Sequence, residues 1–277
     1  MPRALAATAG NMTMKGRVLV VAGSDSGGGA GIQADIKTIT ALGGYAMTAV
    51  TALTAQNTGG VTAVHAAPPE FVAEQIRVTL ADLGADAVKT GMLADAGIIA
   101  AAADALDALA AAIPWVIDPV MVAKGGDRLL AADAAEALKA RLVAKAAVVT
   151  PNLPEAAALT GMAVATPAEM EAAGRALVAM GAKAALVKGG HLKGDTITDV
   201  LVTATGIKRF ESKRIVSRHT HGTGCTLASA IACSLAQGIA VEAAVTRARD
   251  YVAEAIRTAP GYGAGHGPLN HAHTVRP

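Results

Sequence analysis

The chain has 277 residues, of which 52% are hydrophobic, 2% aromatic and 17% charged, with a formal net charge of +2. That length holds one large α/β domain or two small ones, and a core so poor in aromatics must be built from alanine and aliphatic side chains. Scattered basic residues and almost no aromatics exclude a nucleic-acid footprint or a base-stacking platform, and no basic patch suits a membrane surface.

Met1–Gly16 has no apolar stretch adequate for a signal peptide and reads as a loose, flexible N-terminal extension (1–16), with Met12 or Met14 as alternative starts. Residues 17–277 read as a single domain with no internal repeat and no linker. Arg17–Gly23 (RVLVVAG) is a continuous apolar run ending in glycine, as a buried parallel strand should be. Ser24–Gly31 (SDSGGGAG) is a glycine loop that leads into a helix over Ile32–Leu42. Tyr45–Leu53 reads as a second strand, and Gln56–Gly60 as a polar turn. Pro69–Leu83 repeats Val72, Ile76, Leu80 and Leu83 at helical spacing, with proline where a first turn tolerates it. Asp86–Lys89 is a short strand and Asp95–Ala112 an alanine helix. Asp104, Asp107 and Pro114 interrupt the apolar run over Ile98–Ile117, so it does not span a membrane.

Trp115–Val120 is another buried strand, ending near Asp118. A helix over Ala132–Leu142, a strand over Ala147–Thr150, the punctuated segment Pro151–Glu155 and a helix over Thr166–Met180 follow. Ala184–Lys188 is a strand that ends in Gly189-Gly190-His191. Thr196–Thr205 and Lys208–Ile215 read as two antiparallel strands, and Thr223–Gln237 and Val241–Thr258 as the last helices. Strands alternating with helices, apolar throughout, indicate a doubly wound, mostly parallel α/β sheet with a late antiparallel hairpin. Cys225 and Cys233 are the two cysteines. On one helix they sit about 12 Å apart along the axis, beyond the roughly 7 Å that a disulfide spans. Free thiols point to a reducing compartment, so a cytoplasmic protein is expected.

The chemistry-bearing residues mostly follow predicted strands, where the ligand crevice of an open α/β sheet lies. His219–Thr226 (HTHGTGCT) runs from a loop into a helix. The first N–H groups of a helix lack intrahelical acceptors and carry partial positive charge, so this turn reads as an anion site or, equally well, as a glycine-containing helix start with a buried small cysteine. The same field makes the Cys225 thiol more acidic, fit to act as base or nucleophile. Gly29–Ala34 matches the dinucleotide fingerprint G-x-G-x-x-A, but Thr48–Gln56 lacks the acidic residue that fingerprint needs at the second strand. No glycine-lysine-hydroxyl sequence occurs, which removes a P-loop. What remains is a kinase without a P-loop, which needs an anion hole, a divalent metal, a cation and a base. Gly222, Thr223, Gly224 and Cys225 supply the hole and the base, and Lys188 the cation. Asp118 and Glu155 suit Mg²⁺, which prefers oxygen ligands. Taken singly, Asp118, Asn152 and Glu155 read more readily as caps or turn residues, and Lys188 also reads as the end of a strand; their joint placement favours the functional reading.

VAGSDSGGGAGIQADIKT (21–38), TALTAQNT (51–58), KTGML (89–93), DPVM (118–121), TPNLPEA (150–156), VKGGH (187–191) and HTHGTGCTL (219–227) together resemble the hydroxymethylpyrimidine/phosphomethylpyrimidine kinases of thiamine biosynthesis, in the ribokinase-like superfamily. The resemblance implies two successive phosphorylations by ATP with Mg²⁺, of a 4-amino-5-hydroxymethyl-2-methylpyrimidine and then of its monophosphate. It places Gly23, Asp35, Gln56 and Met92 around the pyrimidine, with a carboxamide suited to an amine beside a ring nitrogen. It places Asn152, Lys188 and Gly189 on the nucleotide side, Glu155 and Asp118 near the metal, and Gly222–Cys225 at the transferring phosphoryl group. It also implies a homodimer. Ser26 and Gly27 depart from the proline and serine common in the family. Ala264 stands where some members carry a basic residue, with His266 nearby. A pyridoxal kinase is the neighbouring alternative, although ordinary pyridoxal kinases carry aspartate where this chain has Cys225. A non-catalytic ligand-binding protein is the alternative from another class, and no residue of the constellation is missing to support it.

Overall fold

The computed structural model describes residues 14–121 and 134–275. Most of the expected N-terminal extension and the first two residues of the helix expected over 132–142 lie outside them. Of that extension, Lys15 donates its N–H to Gly43 O, and Gly16 O accepts from Tyr45 N–H.

Strand β1 (Arg17–Asp25) leads through the glycine loop to helix α1 (Gly31–Ala41) and then to β2 (Tyr45–Asn57), which turns back as β3 (Gly60–Ala66). Helix α2 (Pro69–Leu83), β4 (Ala87–Thr90), α3 (Ala96–Leu109) and β5 (Trp115–Ile117) follow. After α4 (Ala134–Arg141) come β6 (Val148–Val149), α5 (Leu153–Thr160), α6 (Pro167–Ala179) and β7 (Ala184–Val187). The hairpin β8 (Thr196–Thr203) and β9 (Gly206–Lys213) precedes α7 (Thr223–Ala236) and α8 (Val241–Arg257).

These strands form one nine-stranded sheet in the order β3-β2-β1-β4-β5-β6-β7-β8-β9. The six strands from β2 to β7 run parallel, and antiparallel strands flank them, β3 at one edge and β8-β9 at the other. Alternation along β1 divides the core. Val18, Val20 and Ala22 face Ile39 of α1 and Ala228 and Ile231 of α7, whereas Leu19 and Val21 face Ile76 of α2 and Ile98 and Leu106 of α3. Both sides of the sheet are therefore covered by helices, as apolar parallel strands require. This is the doubly wound sheet with a late hairpin that the alternation of elements indicates.

Two elements differ from expectation. The polar turn expected over Gln56–Gly60 is shorter, because β2 continues to Asn57 and β3 begins at Gly60. Every residue of β3 is at least partly exposed, so it carries no inward apolar alternation to reveal it. The segment Pro151–Glu155 opens helix α5. Pro154 falls in its first turn, where a missing N–H costs nothing, and Asn152 caps it. Among the described residues no helix is long and apolar enough to cross a membrane.

Candidate active site

The carboxyl ends of the parallel strands and the start of α7 enclose a cavity of ≈ 1210 Å³. Gly23, Gln56, Met92, Asp118, Asn152, Glu155, Lys188 and the turn Gly222–Cys225 all line it. Asp35 and Gly189 stand behind the wall.

The turn is built by close backbone packing. Gly222 caps α7 at φ +81, and a Cβ there would lie 1.9 Å from Gly29 O. Only glycine permits both the conformation and the approach, and the glycine loop after β1 is thereby held against the start of α7. Gly224 faces the charged groups, since a Cβ on it would lie 3.3 Å from Lys188 Nζ and 3.6 Å from Asp118 Oδ2.

Lys188, just past β7, donates to Asp118 Oδ1 at 2.9 Å, and Thr150 Oγ1 donates to the same oxygen at 3.0 Å. Lys188 Nζ is also 4.0 Å from Glu155 Oε2. Burial would lower the pKa of Lys188, but Asp118 and Glu155 raise it, so the ammonium stays charged. Asn152 and Glu155 form a capping box. The Glu155 N–H donates to Asn152 Oδ1 at 2.9 Å, and the Asn152 N–H donates to Glu155 Oε2 at 2.8 Å. The cap is also an active-site device, because it aims a carboxylate that is only 6% exposed toward Lys188. Burial, opposed by Lys188, pushes the Glu155 carboxyl up to about 7. Gly189 steadies this end from behind: its N–H donates to Asp199 Oδ1 at 2.7 Å, and a Cβ on it would lie 1.8 Å from Thr198 O. Asp199 in turn accepts from Arg249 Nε at 2.8 Å.

Cys225 sits at the turn, as the sequence indicates, but not in the acidified state expected there. Burial raises its thiol to about 11, against the pull of Lys89. The helix start is legible in sequence, whereas the depth at which the sulfur is buried is not. Asp35 is fully buried, where it receives Lys89 Nζ at 2.9 Å on each carboxylate oxygen and Ser229 Oγ at 2.6 Å. Burial would lower the Lys89 pKa, but Asp35, Cys225 and Asp118 together hold it well above the usual lysine range.

Three further residues join the site without having been singled out. Lys89 lines the cavity from a strand of four residues, AVKT, and a lysine in so short a buried strand is the signal that marks it. Asp25, the one acid of the glycine loop, accepts the N–H groups of Gly27 (2.8 Å), Gly29 (3.0 Å) and Ala30 (2.8 Å). His221 lies 2.8 Å from Asp25 Oδ2 and 3.2 Å from the Gln56 side chain, both through Nε2. Its position beside the GTGC turn is visible, but its partners come from the ends of β1 and β2, far away in the chain. The tail joins the two ends. The His221 N–H donates to Gly267 O, and the His266 N–H donates to Thr58 O at 2.9 Å, at the tip of the β2-β3 hairpin.

The donor set suits Mg²⁺. Two carboxylates beside an ammonium group offer oxygen ligands, but no group of three or more metal-binding side chains forms among the described residues. An ion there would take its other ligands from water and phosphate, as Mg²⁺ commonly does.

Comparison with known proteins leads to the same chemistry. A family model described as phosphomethylpyrimidine kinase matches residues 25–270. The hydroxymethylpyrimidine/phosphomethylpyrimidine kinase of Streptomyces coelicolor is 49% identical over 254 residues, which cover 92% of this chain and 93% of that protein. The thiamine biosynthesis bifunctional protein ThiED of Geobacter sulfurreducens is 51% identical over 257 residues, which cover 93% of this chain and 52% of that protein. The chain thus spans about half the length of that relative. Among solved structures, an ADP complex of Bacillus subtilis pyridoxal kinase superposes with a TM-score of 0.86 at 36% identity, covering 93% of this chain and 98% of that one. The phosphomethylpyrimidine kinase from Clostridium difficile 630 gives 0.78 at 40% identity, covering 87% and 100%.

Proposed function

The chain belongs to the phosphomethylpyrimidine kinase family, with its ribokinase-like fold, and from that premise we propose that it phosphorylates 4-amino-5-hydroxymethyl-2-methylpyrimidine and then its monophosphate, at the expense of ATP, in thiamine diphosphate biosynthesis. One observation carries the reading: His221 touches Gln56 on one side and adjoins the Gly222–Cys225 turn on the other, so an acceptor reader and an anion hole share one cavity.

In this reading Gln56, Gly23 and Met92 seat the pyrimidine, and its hydroxymethyl group points at the turn. Val216 and the α8 residues Val252 and Ile256, apolar side chains that line the same cavity, take the adenine. The hydroxyl oxygen forms a bond to the γ-phosphorus as the bond to the β-phosphate bridging oxygen breaks, and ADP leaves. Phosphoryl transfer needs mainly positioning and neutralised charge. Lys188 and the N–H groups of the turn meet the charge of the transferring group. Mg²⁺ held by Asp118 and Glu155 supplies further neutralisation when bound. Cys225 takes the hydroxyl proton as the minor thiolate form, which Lys89 favours against the burial that raises the thiol to about 11. In the second round the acceptor is a phosphate oxygen. Asp35 supports the pocket from behind through Lys89. Two unpaired cysteines support a cytoplasmic location, and the family resemblance supports a homodimer.

A second reading, pyridoxal as acceptor, draws on the solved pyridoxal kinases, but at 36% identity against the 49% shared with the pyrimidine kinase of Streptomyces coelicolor. The test is ADP release from Mg·ATP with hydroxymethylpyrimidine, its monophosphate and pyridoxal offered separately. Turnover of the first two with weak pyridoxal activity is expected. Pyridoxal as best acceptor would replace the first reading by the second, and silence with all three would leave a binding protein.

A further inference from the structure

The contacts among Asp25, His221 and Gln56 fix where hydrogens must lie. Asp25 is 2% exposed and accepts three backbone N–H groups as well as His221 Nε2. Burial alone would raise its pKa, but the bonds from His221, Ala30 and Gly27 lower it below the usual value. An ionised carboxylate only accepts, so His221 Nε2 carries a hydrogen whether the ring is neutral or charged. The same nitrogen lies 3.2 Å from the Gln56 carboxamide, whose other arm lies 3.1 Å from Thr54 Oγ1. Thr54 Oγ1 already donates its one hydrogen to Ser24 O at 2.9 Å. With the Gln56 NH₂ toward His221, two donors face each other and the Thr54 hydroxyl must serve two acceptors. Turned by 180°, the NH₂ donates to Thr54 and the carbonyl shares the single Nε2–H of His221 with Asp25 Oδ2, so no two donors face each other. Oxygen and nitrogen of a carboxamide are told apart by such partners.

We propose that His221 is a specificity-determining residue: held Nε2-protonated by Asp25, it locks the Gln56 carbonyl on the His221 side and the Gln56 NH₂ on the Thr54 side, so the cavity selects an acceptor with an amine beside a ring nitrogen. The inference rests on the aminopyrimidine reading above. The acceptor's amine donates to Gln56 Oε1, and its neighbouring ring nitrogen accepts the second Nε2–H. A 4-oxo analogue, with a carbonyl beside a ring N–H, presents the opposite pattern. It fits only if the carboxamide turns over, and His221 opposes that turn. Gly29 packs against the imidazole, where a Cβ would lie 2.5 Å from His221 Cδ2, so the ring cannot swing away on that side.

The experiment compares kcat/KM for the 4-amino and 4-oxo acceptors in the wild type, His221→Leu and His221→Gln. The wild type prefers the amine by about a hundredfold or more, as polar pockets do when a partner is mismatched. His221→Leu narrows the preference to about tenfold or less. His221→Gln, whose side-chain N–H can still donate, keeps most of it. An undiminished preference in His221→Leu would overturn the proposal. Nitrogen-15 spectra of histidine-labelled wild type give a readout that needs neither turnover nor a variant: His221 shows a protonated Nε2, and a bare Nε2 would overturn the proposal. A wild type that turns over neither pyrimidine sinks the aminopyrimidine reading instead, and the nitrogen spectra separate the two failures.

Discussion

The two ends of the cavity use opposite means. At the acceptor end, Asp25, His221, Gln56 and Thr54 pass hydrogen bonds along a chain in which each group has one permitted role. At the phosphoryl end, Lys188, Asp118, Glu155, Lys89 and Asp35 crowd opposite charges into a largely buried cluster, with Lys89 and Asp35 fully buried. Hydrogen-bond direction is cheap to hold and reads the shape of a neutral ring. Buried charge is costly to hold, and it meets a polyanion whose charge shifts during transfer. The difference separates recognition from chemistry within a single cavity.

The largest effect that would sharpen this contrast is at Lys89. Lys89→Met strands the Asp35 carboxylate in the core and costs about 3–5 kcal/mol of unfolding free energy in denaturant titrations. The double variant Lys89→Met/Asp35→Leu recovers most of that stability, because a buried ion pair contributes little beyond an apolar replacement. Turnover should stay low in the double variant, since the ammonium group that favours the Cys225 thiolate is gone. Full recovery of turnover would make the pair a structural feature alone and blur the contrast between the ends.

A smaller effect is expected where the tail underpins the turn. His271 Nε2 lies 3.0 Å from Thr226 Oγ1, and its carbonyl accepts from Tyr251 Oη at 2.7 Å. Burial, helped by the charge of Lys37, lowers the His271 pKa to about 4 from the ordinary 6.5. The folded state thus prefers the neutral ring. Its contribution to stability is complete above pH 6.5 and is lost as the pH falls toward 4, by at most about 3 kcal/mol. Thermal melts between pH 7 and 4.5 test this. His271→Gln, which keeps a partner for Thr226 without titrating, should lose less on acidification than the wild type. An equal loss would remove His271 as the cause.

Much of this was legible in the sequence, for physical reasons. Continuous apolar runs such as RVLVVAG read as buried parallel strands, and proline at Pro69 marks the start of α2. The GTGC turn is visible because the glycines, the cysteine and the helical pattern stand together in the chain. Strand β3 was hidden because an exposed edge strand has no buried face to print a period on. Helix α5 was hidden because Pro151 and Pro154 look like breakers until Asn152 is seen to cap. Asp118, Glu155 and Lys188 stand out at strand ends, but the meeting of Asp25 with His221 joins residues 196 positions apart, which spacing alone does not disclose. The thiol of Cys225 shows the same limit in energetic form, because the helix terminus is local and burial is not.

The division of labour itself is tested most directly by steady-state kinetics of Gln56→Ala and Lys188→Met with hydroxymethylpyrimidine as the varied acceptor. The account predicts that Gln56→Ala raises the acceptor KM about ten- to thirtyfold, the worth of one or two hydrogen bonds, and leaves kcat within about threefold. It predicts that Lys188→Met lowers kcat about a hundred- to a thousandfold with the acceptor KM unchanged. Equal losses of kcat in both variants, with neither KM moved, would contradict it.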